Sequence, residues 1–228
     1  VYTAVKTAKE KLGASSNHAA VFWPKGAVGE KIYCLSAMAA AETAATDAAN
    51  GDVPYESPSN KDLKITATVL DDGTEVALDQ EQANLLNGQG VITAINANGF
   101  KLWGNNTAAY PSTTDPKDRW LAVRRFFDWD GNNFILTYFQ KVDKPGNKRL
   151  IQSIVDSQNI IGNGYVARDY CAGYRLEFHA EENPITDLLD GKLTTHTYLA
   201  PYSPADKIVN IREYDTAALE AALTGGGE

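Results

Sequence analysis

The sequence is poor in the side chains that build metal and redox centres. It has two cysteines, Cys34 and Cys171, and three histidines, His18, His179 and His196. There is no Cys-x-x-Cys pair and no cysteine–histidine spacing of a zinc site. Both cysteines sit in apolar surroundings far apart in sequence and read as buried, reduced thiols. Gly-x-Ser-x-Gly and the phosphate-cradling GxxxxGK(S/T) run are both absent, which removes the usual signatures of serine hydrolases and P-loop nucleotide enzymes. Gly162-Asn-Gly164 follows a predicted helix, whereas a dinucleotide fingerprint precedes one and needs a third glycine. No apolar run approaches the ~20 residues needed to cross a bilayer, and no secretory leader pattern is recognisable. Asn105-Asn106-Thr107 therefore matches a glycosylation sequon by chance. The net charge of −8 and pI near 4.9 argue against general nucleic-acid binding, which wants a basic stripe.

What is present is a globular composition, 43% hydrophobic over 228 residues, enough for one or two cores. The chain opens at Val1 inside a predicted helix, Tyr2 to Leu12, capped by Gly13; without an initiator Met it reads as part of a longer protein. Ala19 to Trp23 reads as a buried strand stopped by Pro24. Lys31 to Ala49, alanine-rich and free of Gly and Pro, predicts a helix ended by Asn50-Gly51. Helix, buried strand, helix is an α/β layering pattern. Val53 to Asn60 is a proline loop. Lys64 to Leu70 alternates as a strand, and Asp71-Asp72-Gly73 turns. A helix from Asp79, its N-cap, to Leu86 precedes a strand over 90–95. Asn98-Gly99 then turns the chain into a strand from Phe100 to Trp103.

In the second half, Trp120 to Phe126 reads as a strand. Asp128-Trp-Asp130-Gly131-Asn132-Asn133 reads as a turn or cap ahead of a helix from Asn133 to Lys141; it lacks the third carboxylate and closing Glu of a calcium loop. Asn147 to Ile160 is an amphipathic helix, with Leu150, Ile151, Ile154, Val155 and Gln158 on one face, ended by Gly162 and Gly164. Strands are predicted over Tyr174–His179, Lys192–Leu199 and Lys207–Tyr214, with short helices over Pro184–Leu189 and Thr216–Leu223, and a frayed tail from Gly225 to Glu228. His179 and His196 lie in predicted strands, where a structural role is favoured. Glu181-Glu182 and Asp71-Asp72 lie in polar loops as solvated pairs.

Seven cations, Arg119, Arg124, Arg125, Lys148, Arg149, Arg168 and Arg175, put local positive charge into an acidic chain. They read either as ordinary surface pairing or as an interface for an acidic partner, where complementary charge fixes register more than affinity.

Several motifs recur in a fixed order. They are Ser57-Pro-Ser-Asn60, Leu85-Leu-Asn87-Gly-Gln-Gly90-Val91, Gly99-Phe-Lys-Leu-Trp103-Gly104-Asn105-Asn-Thr107, and Arg119 to Arg125. After these come Val142-Asp143-Lys-Pro145, Leu189-Asp-Gly191-Lys192-Leu193, Tyr198-Leu-Ala-Pro201 and Ile208 to Arg212. Each alone is weak, but their order and gaps are specific. This series resembles the C-terminal portion of contractile tail sheath proteins of phages and prophages, R-type pyocins and contractile injection systems. The resemblance covers nearly the whole chain, with Gly99, Trp103, Gly104, Asn105, Thr107, Asp143, Pro145, Gly191, Lys192 and Leu193 as its motif positions. The chain lacks the N-terminal arm and first half of the family's subtilisin-like domain. Its last dozen residues are alanine- and glycine-rich rather than a β-rich arm.

The resemblance implies an α+β fold of two domains. Residues 1–98 would be the end of an α/β subtilisin-like sheath domain, a fold without the catalytic triad. Residues 99–216 would be an α+β sheath C-terminal domain, and 217–228 a flexible tail. It implies a structural subunit, with neither enzyme activity nor cofactor or metal. The sheath would be a helical tube of six-fold rings around an inner tail tube. Its contraction would drive the tube through a target envelope. The implied partners are neighbouring sheath subunits joined by strand exchange, the inner tube protein, and baseplate and terminator proteins, with no nucleic acid and no membrane. The implied place is the virion tail, assembled in the host cytoplasm. The alternatives are a baseplate or terminator component sharing the sheath C-terminal domain, a hydrolase relic, or a binding module. Candidate tube- or subunit-facing cations are Lys148 and Arg149, then Arg124 and Arg125.

Overall fold

The computed structural model describes residues 2–225. Val1, and the end of the expected frayed tail at 226–228, lie outside the described residues. The fold mixes helices with three small sheets, an α+β arrangement.

Helix α1 (Thr3–Lys11) leads through Gly13, at φ +63°, into β1 (Val21–Phe22). Next come β2 (Lys25–Val28), β3 (Lys31–Cys34), α2 (Leu35–Ala49) and β4 (Ala67–Val69). Then follow α3 (Gln80–Asn87), β5 (Val91–Asn96) and β6 (Phe100–Trp103). The first sheet runs β1-β5-β6, with β1 parallel to β5 and β5 antiparallel to β6. The second is antiparallel, in the order β3-β2-β4. Leu35 and Ala39 of α2 pack with Leu63, Ile92, Ala94 and Leu102 into one core. The expected domain boundary at 98/99 falls in the turn of the β5–β6 hairpin, where Asn98 has φ +55°, and both strands contribute to that core.

The second half holds α4 (Pro116–Arg119), α5 (Leu121–Tyr138), α6 (Lys148–Ala167), β7 (Cys171–Glu177), α7 (Ile185–Leu189), β8 (His196–Pro201) and α8 (Thr216–Thr224). β7 and β8 form a two-stranded antiparallel sheet with α6 packed against β7. A second core joins Val53, Phe126, Tyr165, Cys171 and Tyr174.

Several expectations are corrected. Residues 31–34 are a strand, not the start of α2, and Cys34 is exposed. Of the expected strand at Trp120–Phe126 only Trp120 is extended, bridged to Asn106; residues 121–126 and the turn at 128–133 belong to α5, a single 18-residue helix. Its buried residues Val123, Phe126, Asp130 and Tyr138 follow a helical period, so tertiary burial overrides the local β-propensity and Gly131. α6 does not stop at Gly162 or Gly164; Gly162 is buried inside it against Tyr174. The expected strand at Lys207–Tyr214 is not formed, and these residues pair with no described strand.

Candidate assembly interface

The motifs between Ser57 and Arg125 meet at one structural junction. Asp79 caps α3 in a reciprocal capping box with Gln82, which sets the direction of the helix that delivers Asn87. The Asn87 amide, in the orientation its neighbours require, donates to the carbonyls of Val91 at 2.8 Å and Trp103 at 3.0 Å. Trp103 Nε1 donates to Asn84 Oδ1 at 2.9 Å. Gly104 has φ +131°, and a β-carbon there would come within 3.1 Å of Ile92 Cα, so only glycine fits. Its amide donates to Ser59 Oγ at 3.0 Å, which ties in the Ser57–Asn60 loop. Thr107 N donates to the Arg119 carbonyl and Leu121 N to the Asn105 carbonyl, at 2.7 and 2.9 Å. Asn105, Asn106 and Thr107 are all buried, so the sequon is inaccessible in the fold. These residues are architecture: they satisfy backbone groups that burial would otherwise orphan.

A second junction lies around the loop at 178–195. Asn183 donates through Nδ2 to the carbonyls of His179 and Thr194, at 2.8 and 2.9 Å, and accepts from Thr194 N at 2.8 Å. Gly191 takes φ +75°, and Lys192 Nζ reaches Asp187 Oδ2 at 2.8 Å. A β-carbon at Gly146 would lie 3.9 Å from Leu193 Cδ1, placing the turn after Pro145 beside the Gly191–Leu193 motif. Asp143 turns the chain at φ +62°. His179 and His196 stand with ring centroids 5.5 Å apart. His196 Nε2 is 2.5 Å from Glu182 Oε2, and His179 Nε2 is 3.3 Å from Glu177 Oε2.

The four candidate interface cations divide into two kinds. Arg124 is engaged within the fold: Nη2 reaches Asp128 at 2.6 Å and Nη1 reaches Asp118 at 3.3 Å. The Asn17 amide, together with Arg124, holds the Asp118 carboxyl below its usual range. Arg125 grips both carboxylate oxygens of Asp47 on α2. Lys148 and Arg149 instead open the first turn of α6, where Asn147 supplies the cap to Leu150 N at 2.9 Å, and both are exposed. The preceding stretch is also exposed and apolar, with Ile135, Leu136, Phe139 and Val142 each more than half accessible. Lys141, Lys144, Lys148 and Arg149 against Asp143 leave this region net positive in an acidic chain.

Between α5, α6 and β7 lies a buried polar group that no motif flagged. Tyr174 Oη accepts from Gln158 Nε2 at 2.6 Å and donates to Asp130 Oδ2 at 3.3 Å. Asp130 is 5% exposed, and burial pushes its carboxyl up to about 6. Burial likewise raises Tyr165 to about 12. Among the described residues, no group of three or more His, Cys, Asp or Glu is arranged to hold a metal ion. No described helix is long and apolar enough to cross a membrane.

The C-terminal segment leaves the body after β8. Tyr202 Oη donates to Asp169 Oδ1 at 2.8 Å. From residue 205 to 225 every residue is exposed, including Ile208, Val209, Ile211 and Tyr214, which are 67–86% accessible. β7 and β8 pair only with each other among the described residues, so the sheet they form keeps open edges beside this segment's root.

No family model matches the chain. It is 33% identical over 204 residues to the tail sheath protein of Burkholderia phage BcepMu, covering 86% of this chain and 41% of that protein. It is 31% identical over 149 residues to the tail sheath protein of Escherichia phage P2, covering 63% of this chain and 35% of that protein. Among solved structures it superposes on the contracted sheath complex of an extracellular contractile injection system with a TM-score of 0.79 at 19% identity, covering 96% of this chain and 62% of that one. An anti-feeding prophage baseplate chain matches with a TM-score of 0.77 at 20% identity, covering 89% and 56%. The chain is a homologue of the contractile tail sheath proteins of phages and prophages, and it spans about two fifths of the length of the first of these relatives.

Proposed function

We propose that this chain is the C-terminal portion of a contractile sheath subunit. The subunit polymerises into a helical tube of six-fold rings around an inner tail tube, and the sheath contracts to drive that tube through a target envelope. The observation that carries this reading is the exposed, unpaired segment at 207–214, which follows β8 of the open β7–β8 sheet in the chain. A segment that pairs with no described strand of its own chain, following a sheet with open edges, favours exchange between neighbouring copies. Main-chain pairing of this kind survives large rotations of the rigid bodies it links. Head-to-tail contacts that do not close give open helical assemblies. The stored energy of the extended lattice does the work, with no catalytic step.

In this reading residues 1–98 complete a subtilisin-like sheath domain begun elsewhere in the protein, and 99–216 form the C-terminal domain. The exposed Lys148 and Arg149, with Phe139 and Val142, face the inner tube. Arg124 and Arg125 stiffen the body behind them. The site of action is the virion tail, assembled in the host cytoplasm, with baseplate and terminator proteins at its two ends. A baseplate component sharing the sheath fold is the second reading, supported by the baseplate neighbour. Negative-stain microscopy of the full-length protein expressed alone separates them: hollow tubes of uniform width support the sheath, and closed rings or monomers support the baseplate component.

A further inference from the structure

Arg119 is held on three sides and free on one. Its guanidinium lies 3.9 Å from the Trp120 ring centroid and 4.4 Å from that of Tyr110. Its Nε donates to Asn106 Oδ1 at 3.0 Å, and Asn106 Nδ2 in turn donates to the Asn87 carbonyl at 3.0 Å. The Arg119 carbonyl accepts from Thr107 N at 2.7 Å. This cation is thus built into the motif junction, and its position costs no ordering when a partner arrives. Its Nη2 lies 3.8 Å from Asp206 Oδ2.

Asp206 sits at the root of the exposed C-terminal segment. Among the described residues it is the last one with an ion pair or side-chain hydrogen bond to the body; beyond it, Asp215 and Thr224 bond only within α8. Its own amide donates to the Pro204 carbonyl at 2.9 Å, which folds the root into a tight turn. The segment is therefore tied at Tyr202 and Asp206 and free afterwards.

We propose that Arg119 and Asp206 form a releasable clasp that aims the C-terminal arm. Closed, the clasp fixes the direction in which 207–214 leaves the body. Open, it lets the arm swing about Tyr202 while its outer residues stay paired to a neighbour. Exposed ion pairs contribute little net stability and are screened by salt. A long pair between a rigid arginine and an exposed aspartate is suited to be broken and remade, not to brace the fold. The clasp rests on the reading of 207–214 as the exchanged strand, and it adds how that strand is directed.

The test measures the arm's direction in the unassembled 228-residue chain. Spin labels at Ser112→Cys, beside Tyr110, and Val209→Cys, on the arm, report their separation by pulsed electron resonance; Cys34→Ser removes the exposed native thiol. The clasp predicts a narrow distance distribution at low salt that broadens near about 1 M salt, where the screening length falls to about 3 Å. Asp206→Asn loses the narrow peak at all salt concentrations, and Asp206→Glu keeps it. An Asp206→Asn distribution equal to the parent's overturns the clasp. Tube growth by the full-length protein carrying Val209→Pro, which cannot donate to a ladder at that position, tests the strand-exchange reading separately. Blocked tubes with an unchanged Asp206→Asn distribution reject the clasp and keep the exchanged strand. Normal tubes with a broadened distribution reject the exchanged strand, and with it the clasp's role in assembly.

Discussion

Gly162 and Tyr174 are in such close contact that a β-carbon on the glycine would lie 1.9 Å from the tyrosine ring. Two residues later on the same helix, a β-carbon at Gly164 would meet nothing within 4 Å. Gly162→Ala therefore forces α6 away from β7 and destabilises by roughly 1–3 kcal/mol, even after the helix-propensity gain. Gly164→Ala stabilises by about 0.5–1 kcal/mol. Urea denaturation of the two variants should show midpoint shifts of opposite sign.

Asp130 gives a pH signature. Its folded carboxyl titrates near 6 because burial disfavours the charge, well above an exposed aspartate. Between those values the folded chain binds the proton and the unfolded chain does not. Stability from this group is present at low pH and is lost as pH rises through 6. Asp130→Asn keeps an acceptor for Tyr174 and removes the ionisation. The variant should match the parent near pH 4 and exceed it by up to about 2–3 kcal/mol above pH 7. Asp118 and Asp128, both held low, contribute in the opposite direction at acid pH, so the difference between the two proteins is the informative quantity.

Asn183 makes three hydrogen bonds that fasten the 178–195 loop. Asn183→Ala leaves half-buried backbone partners unsatisfied and should cost about 1–3 kcal/mol. Hydrogen exchange should quicken at Thr194 and across the Gly191–Leu193 turn, with the β5–β6 hairpin unchanged.

The two classes of basic residue should separate cleanly. Arg125→Glu sets like charges against Asp47 and lowers subunit stability by more than about 1 kcal/mol. Lys148→Glu with Arg149→Glu, at an exposed helix start, should leave stability within about 0.5–1 kcal/mol of the parent. The same double variant should weaken attachment to the inner tube in the full-length protein; attachment at parental strength would remove α6 from the tube-facing surface.

What was legible in the sequence is what local chemistry decides. The cap at Asp79, the turn at Asn98-Gly99 and the run to Trp103 depend on neighbours in sequence, and all three stand in the fold. Helix α5 was hidden because its core-facing stripe carries a carboxylate, Asp130, where a hydrophobe would signal the period. Gly162 looked like a stop because its reason, the ring of Tyr174, lies on another element. Arg124 and Arg125 could not be told from Lys148 and Arg149, since the partner of Arg125 is Asp47, 78 residues away. The pattern of 207–214 predicts a strand, but among the described residues these positions form none, because no sheet edge of the chain pairs with them.

The most direct test of the account is amide hydrogen exchange across 207–214 in the full-length protein, before and after assembly into tubes. The account predicts rapid exchange at Ile208, Val209 and Ile211 in the free subunit and strong protection in the tube, together with new protection on the outer edge of β8 or β7. Equally rapid exchange at these amides in assembled tubes would contradict it.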